Sequence, residues 1–353
     1  MANKNLRAVG CALAAALFYA VNIPCSKLLL GKIAPAYMAA LLYLGAGIGI
    51  GVPYLFRRGK EPADDRLRRE DLPYTVGMVA LDIAAPILLM LGVNMGTSSG
   101  ASLLGNFEIV ATTVIAMALF REKVSGRLWA AIGLITLSSM ILSFDGGGSL
   151  RFSVGALLVL GATACWGLEN NCTRRISDRS TYQIVTIKGF GSGIGSLAIA
   201  LAAGETFPPL RYVLPALLLG FVAYGLSIFT YIRAQSTLGA AKTSAYYAAA
   251  PFIGALLSFA LLREPLTITY LIALAIMVAG EVLVVRDTLA RHHAHQHVHY
   301  LTHMHGGPMH THKVVHSHGH DHYLSEGKHG HRHSEAELRR LSGHTWRRDL
   351  LPN

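Results

Sequence analysis

Residues 100–125 read GASLLGNFEIVATTVIAMALFREKVS, and residues 242–267 give nearly the same pattern again as KTSAYYAAAPFIGALLSFALLREPLT. Both are long apolar runs that end in Arg-Glu. The second run lies in a second series of apolar segments whose order and spacing follow the first, which indicates an internal duplication. Because about 20 apolar residues of helix cross the hydrocarbon core of a bilayer, each run predicts a membrane span.

The composition of the chain favours a membrane protein. Of its 353 residues, 52% are hydrophobic and only 14% are charged, which leaves too little polar surface to cover a soluble globule. The Lys and Arg residues behind the net charge of +11 lie in short clusters between apolar runs. Such clusters orient helices in a membrane, so the charge predicts no nucleic-acid partner.

Ten apolar runs predict ten transmembrane helices, five in each half of the chain. With an odd number of spans per half, the second half must cross the bilayer in the opposite sense, which gives inverted repeats. We therefore predict an all-α membrane protein with two inverted five-helix repeats, at residues 1–147 and 148–287, and a disordered cytosolic C-terminal tail at residues 288–353. The predicted spans are residues 6–29, 36–56, 72–93, 98–120, 128–144, 154–172, 182–203, 212–231, 240–262 and 268–285.

Positive charge in the connections predicts the orientation of these spans. The N-terminus and the even-numbered connections are rich in Lys and Arg, whereas the odd-numbered connections are poor in them. Cytosolic loops of membrane proteins carry the excess of Lys and Arg. Both termini are therefore expected in the cytosol, with the protein in the cytoplasmic (inner) membrane.

Ten spans in two inverted halves, with Arg-Glu after the fourth and ninth spans, resemble the EamA-type families of the drug/metabolite transporter superfamily. The resemblance covers residues 6–285 and implies a secondary carrier with its substrate cavity between the repeats. It also implies cargo such as amino acids or their derivatives, often exported with protons or by exchange. In the family, the apolar run that leads to the closing Glu usually contains a proline. Pro251 matches that pattern in the second half, whereas Glu108 or Ile109 occupies the corresponding place in the first half.

Ionisable residues inside the predicted spans are the strongest indication of function, because charge near mid-membrane is costly. Glu108 lies well inside the fourth span, with Asn106 as a local partner, where a carboxyl kept from water could bind and release a proton. Asp82, Glu169 and Lys188 lie inside other spans. We expect all of them at the substrate cavity, with Glu108 as the coupling residue. Lys188 could pair with Glu108 or Glu169, or could receive a substrate carboxylate.

Polar and aromatic residues fall on equivalent positions of the two halves. Aligning the halves places Glu169 on Asn22 and Trp166 on Tyr19. An aromatic ring flanked by a carboxyl and amides suits a small cationic or zwitterionic ligand, although packing aromatics are the alternative interpretation. Two neighbouring tyrosines in a stretch of small residues are further cavity candidates: Tyr246 and Tyr247.

All 17 histidines lie between His292 and His344, in a segment too polar to fold alone. Neutral imidazoles at short spacings bind borderline divalent ions, so we predict Zn, Ni, Co or Cu on this tail and no cofactor that transport requires. A polycation that moves onto anionic lipid in mild acid is the alternative. Residues 334–351 could form a short amphipathic helix on the membrane or remain frayed. The predicted metal ligands are His292, His293, His295, His297, His299, His303, His305, His310, His312, His316, His318, His320, His322, His329, His331 and His333.

The spans contain no HExxH or GxSxG motif and no paired aspartates in a recognisable setting, so the sequence predicts no enzyme. Two alternatives to a metabolite carrier stay open: a divalent transition-metal (Zn, Ni or Co) transporter, and a metal-responsive membrane protein. The expected partners are a small-molecule substrate, the lipid bilayer and divalent metal ions on the tail. Whether the chain forms a homodimer is left open by the sequence.

Overall fold

The chain folds into a helical bundle, and two β-strands follow in sequence. A computed structural model describes residues 2–57, 59, 66–120, 124–144, 153–176, 179–238, 243, 246–304 and 309–323. The helices of the first half are α1 (Ala2–Ala20), α2 (Asn22–Leu30), α3 (Pro35–Arg57), α4 (Leu72–Met95), α5 (Ser98–Leu104), α6 (Phe107–Phe120) and α7 (Gly126–Ser143). Those of the second half are α8 (Val154–Arg175), α9 (Thr181–Ala202), α10 (Leu210–Gly220), a π-helical segment (Phe221–Leu226), α11 (Ser227–Leu238), α12 (Ala250–Leu262) and α13 (Ile268–Leu289).

Eight helical segments within the described ranges are long and apolar enough to cross a bilayer, which confirms eight of the ten predicted spans. Each of the two remaining runs contains a helix, but neither helix meets that criterion. Helix α8 has 22 residues, yet Glu169 and two arginines fall in its last two turns, and α12 has only 13 residues. Large apolar side chains on the outside of the bundle, such as Phe56 and Ile268, are 80% and 78% exposed, as expected of residues that face lipid.

The two halves of the bundle meet along α3 and α9, where main chain lies against main chain. A Cβ atom added to Gly189 would lie 2.5 Å from the Cα of Gly47, so only glycine permits this approach. Gly193 contacts Leu44, whereas Gly189 contacts Gly47. Residue numbers therefore rise in opposite directions along the contact, and α3 and α9 are antiparallel.

Other helix pairs between the halves are antiparallel as well. In the pair α4 and α8, Gly92 lies against Gly155 and Gly77 lies against Cys172. In the pair α5 and α12, the hydroxyl oxygens of Ser98 and Ser258 are 2.8 Å apart, and Ser102 lies against Gly254. Sequence alignment makes α3 equivalent to α9, and α5 with α6 equivalent to α12. Antiparallel packing of equivalent helices is the arrangement that inverted repeats require.

Residues beyond the bundle form an antiparallel hairpin of β1 (Ala290–Met304) and β2 (Met309–Tyr323). The prediction of a disordered tail is wrong for these two segments. Histidine recurs at every second position over much of both segments, and that period is the period of a strand. In the strand register, His293 stands opposite His320 and His295 opposite His318.

The rest of the tail lies outside the described residues. This applies to residues 305–308 and 324–353, which include the predicted short helix at 334–351. Four of the predicted metal ligands are among them: His305, His329, His331 and His333.

Gly220 gives a direct test of the close packing between the halves. A Cβ atom on Gly220 of α10 would lie 2.0 Å from the backbone oxygen of Leu42 in α3, so Gly220→Ala must push the two helices apart. We expect the variant to lose about 1–3 kcal/mol of stability, measured by thermal unfolding in detergent. Gly133→Ala is the control, because nothing lies within 4 Å of a Cβ atom there. An unfolding temperature of Gly220→Ala at or above that of the control would contradict the packing.

Candidate functional site

Two adjoining cavities lie between the halves of the bundle, and residues of both halves line each of them. The first has a volume of about 120 Å³ and the second about 140 Å³. Four residues line both cavities: Tyr19, Glu108, Trp166 and Tyr247. The first cavity has a largely apolar wall, whereas Glu169 and Lys188 give the second a charged wall.

A buried ion triad holds three helices together at the second cavity. The ammonium of Lys188 on α9 lies 3.2 Å from a carboxylate oxygen of Asp82 on α4 and 3.0 Å from one of Glu169 on α8. Asp82 also accepts a hydrogen bond from the hydroxyl of Tyr43 at 2.9 Å, and Glu169 accepts one from the hydroxyl of Thr173. Lys188 therefore pairs with Glu169, which was one of the partners expected from the sequence, and also with Asp82, which was not.

Glu108 is held by an amide rather than by a cation. Asn170 Nδ2 donates to a carboxylate oxygen of Glu108 at 2.7 Å and lies 3.2 Å from the hydroxyl oxygen of Thr112. Helices α6 and α8 approach closely here, since a Cβ atom on Gly167 would lie 2.6 Å from the Cβ of Ala111. Glu108 is half-buried and lines both cavities, so its carboxyl is in reach of a ligand.

Several helices that border the cavities are interrupted near their middle. Helices α5 and α6 are separated by a turn at Gly105 and Asn106, and a turn at Ala248 and Ala249 precedes α12. Aligning the two Arg-Glu pairs puts Asn106 on Ala248, so the interruptions occupy equivalent places in the two halves. Broken helices at corresponding positions of two repeats are typical of transporter binding sites.

The break between α1 and α2 lies against the π-helical segment, and the contact is made by Asn22, the residue that begins α2. Asn22 Nδ2 donates to the hydroxyl oxygen of Tyr224 at 3.0 Å, and Tyr224 lies in the π-helical segment. Such π segments are frequent at functional sites. Asn22 is fully buried and is not among the lining residues of either cavity, so it holds Tyr224 in place.

Tyrosine rings form much of the aromatic wall. The centroid of Tyr19 lies 6.0 Å from that of Tyr224 and 5.9 Å from that of Tyr247, and Tyr43 lies 5.0 Å from Tyr224. Tyr43 and Tyr224 were not among the sequence candidates. Tyr246, which was, is 37% exposed and lies outside the lining of both cavities.

Two charged residues, Glu264 of the second half and Lys27 of the first, hold the end of the bundle where α4 meets α5. The carboxylate of Glu264, which follows α12, accepts hydrogen bonds from the backbone N–H groups of Ser98 at 2.7 Å and Ser99 at 2.9 Å. Lys27 donates to backbone oxygens of Val93, Asn94 and Gly96 at the end of α4, at 2.6, 3.0 and 2.8 Å. We call this set the α4–α5 clamp.

A similar contact caps α3. The two carboxylate oxygens of Glu205, which follows α9, accept from the backbone N–H groups of Ala36 at 3.2 Å and Tyr37 at 3.0 Å. Glutamates of the second half therefore cap two helices of the first half, where the positive end of each helix favours a carboxylate.

Removal of the Glu264 carboxylate tests the α4–α5 clamp. Glu264→Ala leaves two backbone donors at the start of α5 without their acceptor, so we expect a loss of about 0.5–2 kcal/mol in thermal unfolding. Glu70→Ala is the control, because the Glu70 side chain is 65% exposed and its ion pair with Arg179 contributes little. Equal stability of the two variants would contradict a clamp.

The family model described as the EamA-like transporter family matches residues 6–144 and again residues 153–286. The chain belongs to the EamA-like transporter family. This EamA-like transporter is also 26% identical over 291 residues to an "Uncharacterized transporter" of Methanothermobacter thermautotrophicus, a match that spans 75% of this chain and 82% of the relative.

A solved crystal structure supports the fold of this EamA-like transporter. It aligns with a TM-score of 0.58 at 17% identity, over 78% of this chain and 95% of the other. At that sequence identity, the similarity supports the fold alone. Membership of the family and the eight apolar helices together indicate a multi-pass membrane transporter.

Proposed function

We propose that this EamA-like transporter is a secondary carrier that exports a small metabolite bearing an ammonium group, such as an amino acid or a derivative. The observation that carries the proposal is the half-buried carboxyl of Glu108, which faces the cavities beside the rings of Tyr19, Trp166 and Tyr247. Aromatic faces and a carboxylate are the groups that recognise an ammonium.

The charges around the cavities favour a cation over an anion. Asp82, Glu169 and Glu108 offer three carboxylates, whereas Lys188 offers one ammonium that already has two partners. With every group ionised, the site carries an excess of negative charge. An ammonium of the cargo that binds near Glu108 would relieve that excess.

Coupling to protons follows from the same residue. A proton and an ammonium compete for the carboxyl of Glu108, because each neutralises it. Proton entry on one side of the membrane would then release the cargo, and proton release on the other side would allow the next cargo to bind. That competition is the basis of a proton-driven antiporter.

For the architecture, we propose ten spans in two inverted repeats divided at residues 147 and 148, with both termini in the cytosol and the protein in the inner membrane. Antiparallel packing of equivalent helices supports the inversion. Lys and Arg in the even-numbered connections support the orientation. Transport would proceed by rocking of one repeat against the other around the cavities.

Purified protein in liposomes tests the function. A panel of radiolabelled amino acids and of divalent metal ions is offered with a pH gradient present or absent. We expect gradient-dependent flux of at least one amino acid and no flux of metal. Metal flux without amino-acid flux would instead support the alternative, a divalent transition-metal (Zn, Ni or Co) transporter.

We propose a separate role for the histidine tail, which is to bind Zn, Ni, Co or Cu in the cytosol. Segregation of all 17 histidines in residues 292–344 supports this role. Within the side chains that the structure describes, no group of three or more His, Cys, Asp or Glu could hold a metal ion. The bundle therefore offers no described alternative to the tail as a metal site.

Deletion of residues 291–353 separates metal binding from transport. The bundle and the tail are distinct compact units, with the division at Asp287, so the truncated bundle is expected to fold. We expect titration calorimetry with Zn²⁺ or Ni²⁺ to show binding to the full chain and none to the truncated chain. Amino-acid flux should be equal in the two proteins. Loss of flux together with metal binding would favour a metal-responsive protein.

A further inference from the structure

Two polar side chains at the first cavity have no hydrogen-bond partner within the described part of the chain. They are the hydroxyl of Ser102 on α5 and the side-chain amide nitrogen of Asn106, which follows α5 in the turn before α6. Each residue is only 2% exposed, and both line the first cavity. A buried donor without an acceptor destabilises the protein, so such donors are expected where a ligand supplies the acceptor.

The position of these donors favours an anionic acceptor. Asn106 directly precedes α6, a helix of 14 residues, and the start of a helix carries partial positive charge. Ser102 lies in the last turn of α5 and Asn106 lies in the turn between α5 and α6, four residues further along the chain. They are therefore placed to share one acceptor group in the first cavity.

The neighbouring helix lies close to Ser102 at this point, where only a glycine fits without a tight contact. Gly254 of α12 also lines the first cavity, and a Cβ atom on it would lie 3.2 Å from the hydroxyl oxygen of Ser102 and 3.1 Å from the backbone oxygen of Ala20. The surrounding wall is apolar, with Ile23, Leu89 and Pro251. An acid group would find two unpartnered buried donors at Ser102 and Asn106, and an apolar side chain of the cargo would pack on the wall.

We propose that Ser102 and Asn106 form the subsite that binds the carboxylate of the cargo. The inference rests on the proposed function, in which Glu108 and the aromatic rings receive the ammonium. Glu108 lies on the first turn of α6, close in sequence to Asn106, so one zwitterion can span both subsites. Lys188 does not line the first cavity and is bound to Asp82 and Glu169, so the carboxylate is held by neutral donors.

Matched ligand pairs test the subsite. The probes are alanine and ethylamine, leucine and isopentylamine, phenylalanine and phenethylamine, and lysine and cadaverine. Each amine is its amino acid without the carboxylate. Binding to the full chain in lipid nanodiscs is measured by titration calorimetry for wild type and for Ser102→Ala, Asn106→Ala and Asn106→Asp.

We expect wild type to bind at least one amino acid about ten-fold more tightly than its amine, the effect of about one or two hydrogen bonds to a charged group. Each variant should reduce that preference, and Asn106→Asp should abolish it because its carboxylate repels that of the ligand. Amine binding should persist in all variants, which shows that they are folded. Thr163→Val is the control, since the Thr163 hydroxyl lines the same cavity but already donates to Leu160 O at 2.8 Å.

The outcomes distinguish the subsite from the function on which it rests. If wild type binds each amine as tightly as the matching amino acid, or if the variants keep the preference for the amino acid, the subsite is overturned and the ammonium site stands. Equal loss of amino-acid and amine binding in the variants also overturns it, because that result indicates a structural role. If wild type binds none of the eight probes, the proposed function fails and the subsite fails with it.

Discussion

Replacement of Glu108 by glutamine is expected to reduce proton-driven amino-acid flux to the level of empty liposomes. Glutamine has nearly the shape of glutamate and can still accept the hydrogen bond from Asn170, which spans 2.7 Å in the wild type. It cannot bind and release a proton. The variant should therefore fold and insert normally but lose the response to a pH gradient, measured as flux into liposomes with the gradient on or off.

A matched control for this variant exists on α13. Glu281 is another carboxyl within the bundle, 4% exposed, but it does not line either cavity, and neither of its oxygens has a hydrogen-bond partner in the described structure. Glu281→Gln should transport at the wild-type rate. Gradient-driven flux that persists in Glu108→Gln would exclude Glu108 as the coupling residue, and loss of flux in both variants would point to a general effect of buried carboxyls.

Lys188→Met is expected to be the most destabilising single change in the bundle. It leaves the carboxylates of Asp82 and Glu169 buried without their cation, and removal of one member of a buried ion pair costs about 3–5 kcal/mol. Thermal unfolding in detergent and the yield of monodisperse protein should both fall sharply. The physical cause is charge, because the volumes of lysine and methionine are similar.

Neutralisation of the partners should rescue the fold without rescuing transport. In the triple variant with Lys188→Met, Asp82→Asn and Glu169→Gln, no charge of the triad remains, so most of the lost stability should return. Flux should stay absent if the triad serves the transport cycle. A triple variant that unfolds as easily as Lys188→Met would show that packing, rather than unpaired charge, explains the loss.

The repeats and the charged candidates could be predicted from the sequence because both are local signals. Arg-Glu after two similar apolar runs identifies the duplication, and an ionisable residue within an apolar run is rare enough to be conspicuous. Glu108, Glu169 and Lys188 all line a cavity, and Asp82 lies against Lys188.

Contacts between distant segments could not be predicted in the same way. Tyr43 and Tyr224 lie on separate helices, and nothing near either of them in sequence indicates that their rings meet. Lys188 had several carboxylates within conceivable reach, and only the packing of α4, α8 and α9 selects among them. The role of Glu264 as a cap for α5 also depends on a contact between the halves.

The hairpin in the tail escaped prediction for a different reason. High polarity favours disorder, whereas alternate histidines have the spacing of a strand, and the two signals conflict in this segment. The turns within the spans were missed because, apart from Gly105, no strong breaker residue marks them. Pro251 lies just after one of these turns, but Asn106 and Ala248 do not by themselves end a helix.

The glycine contact between α3 and α9 affects how the halves can move. Where side chains interlock, two surfaces must separate before either can rotate, whereas Gly47 and Gly189 present bare backbone with nothing to disengage. The crossing can therefore act as a pivot, and tilting about it is resisted by contacts outside it, among them the ion pairs of Lys188 and the helix ends that Glu205 and Glu264 hold.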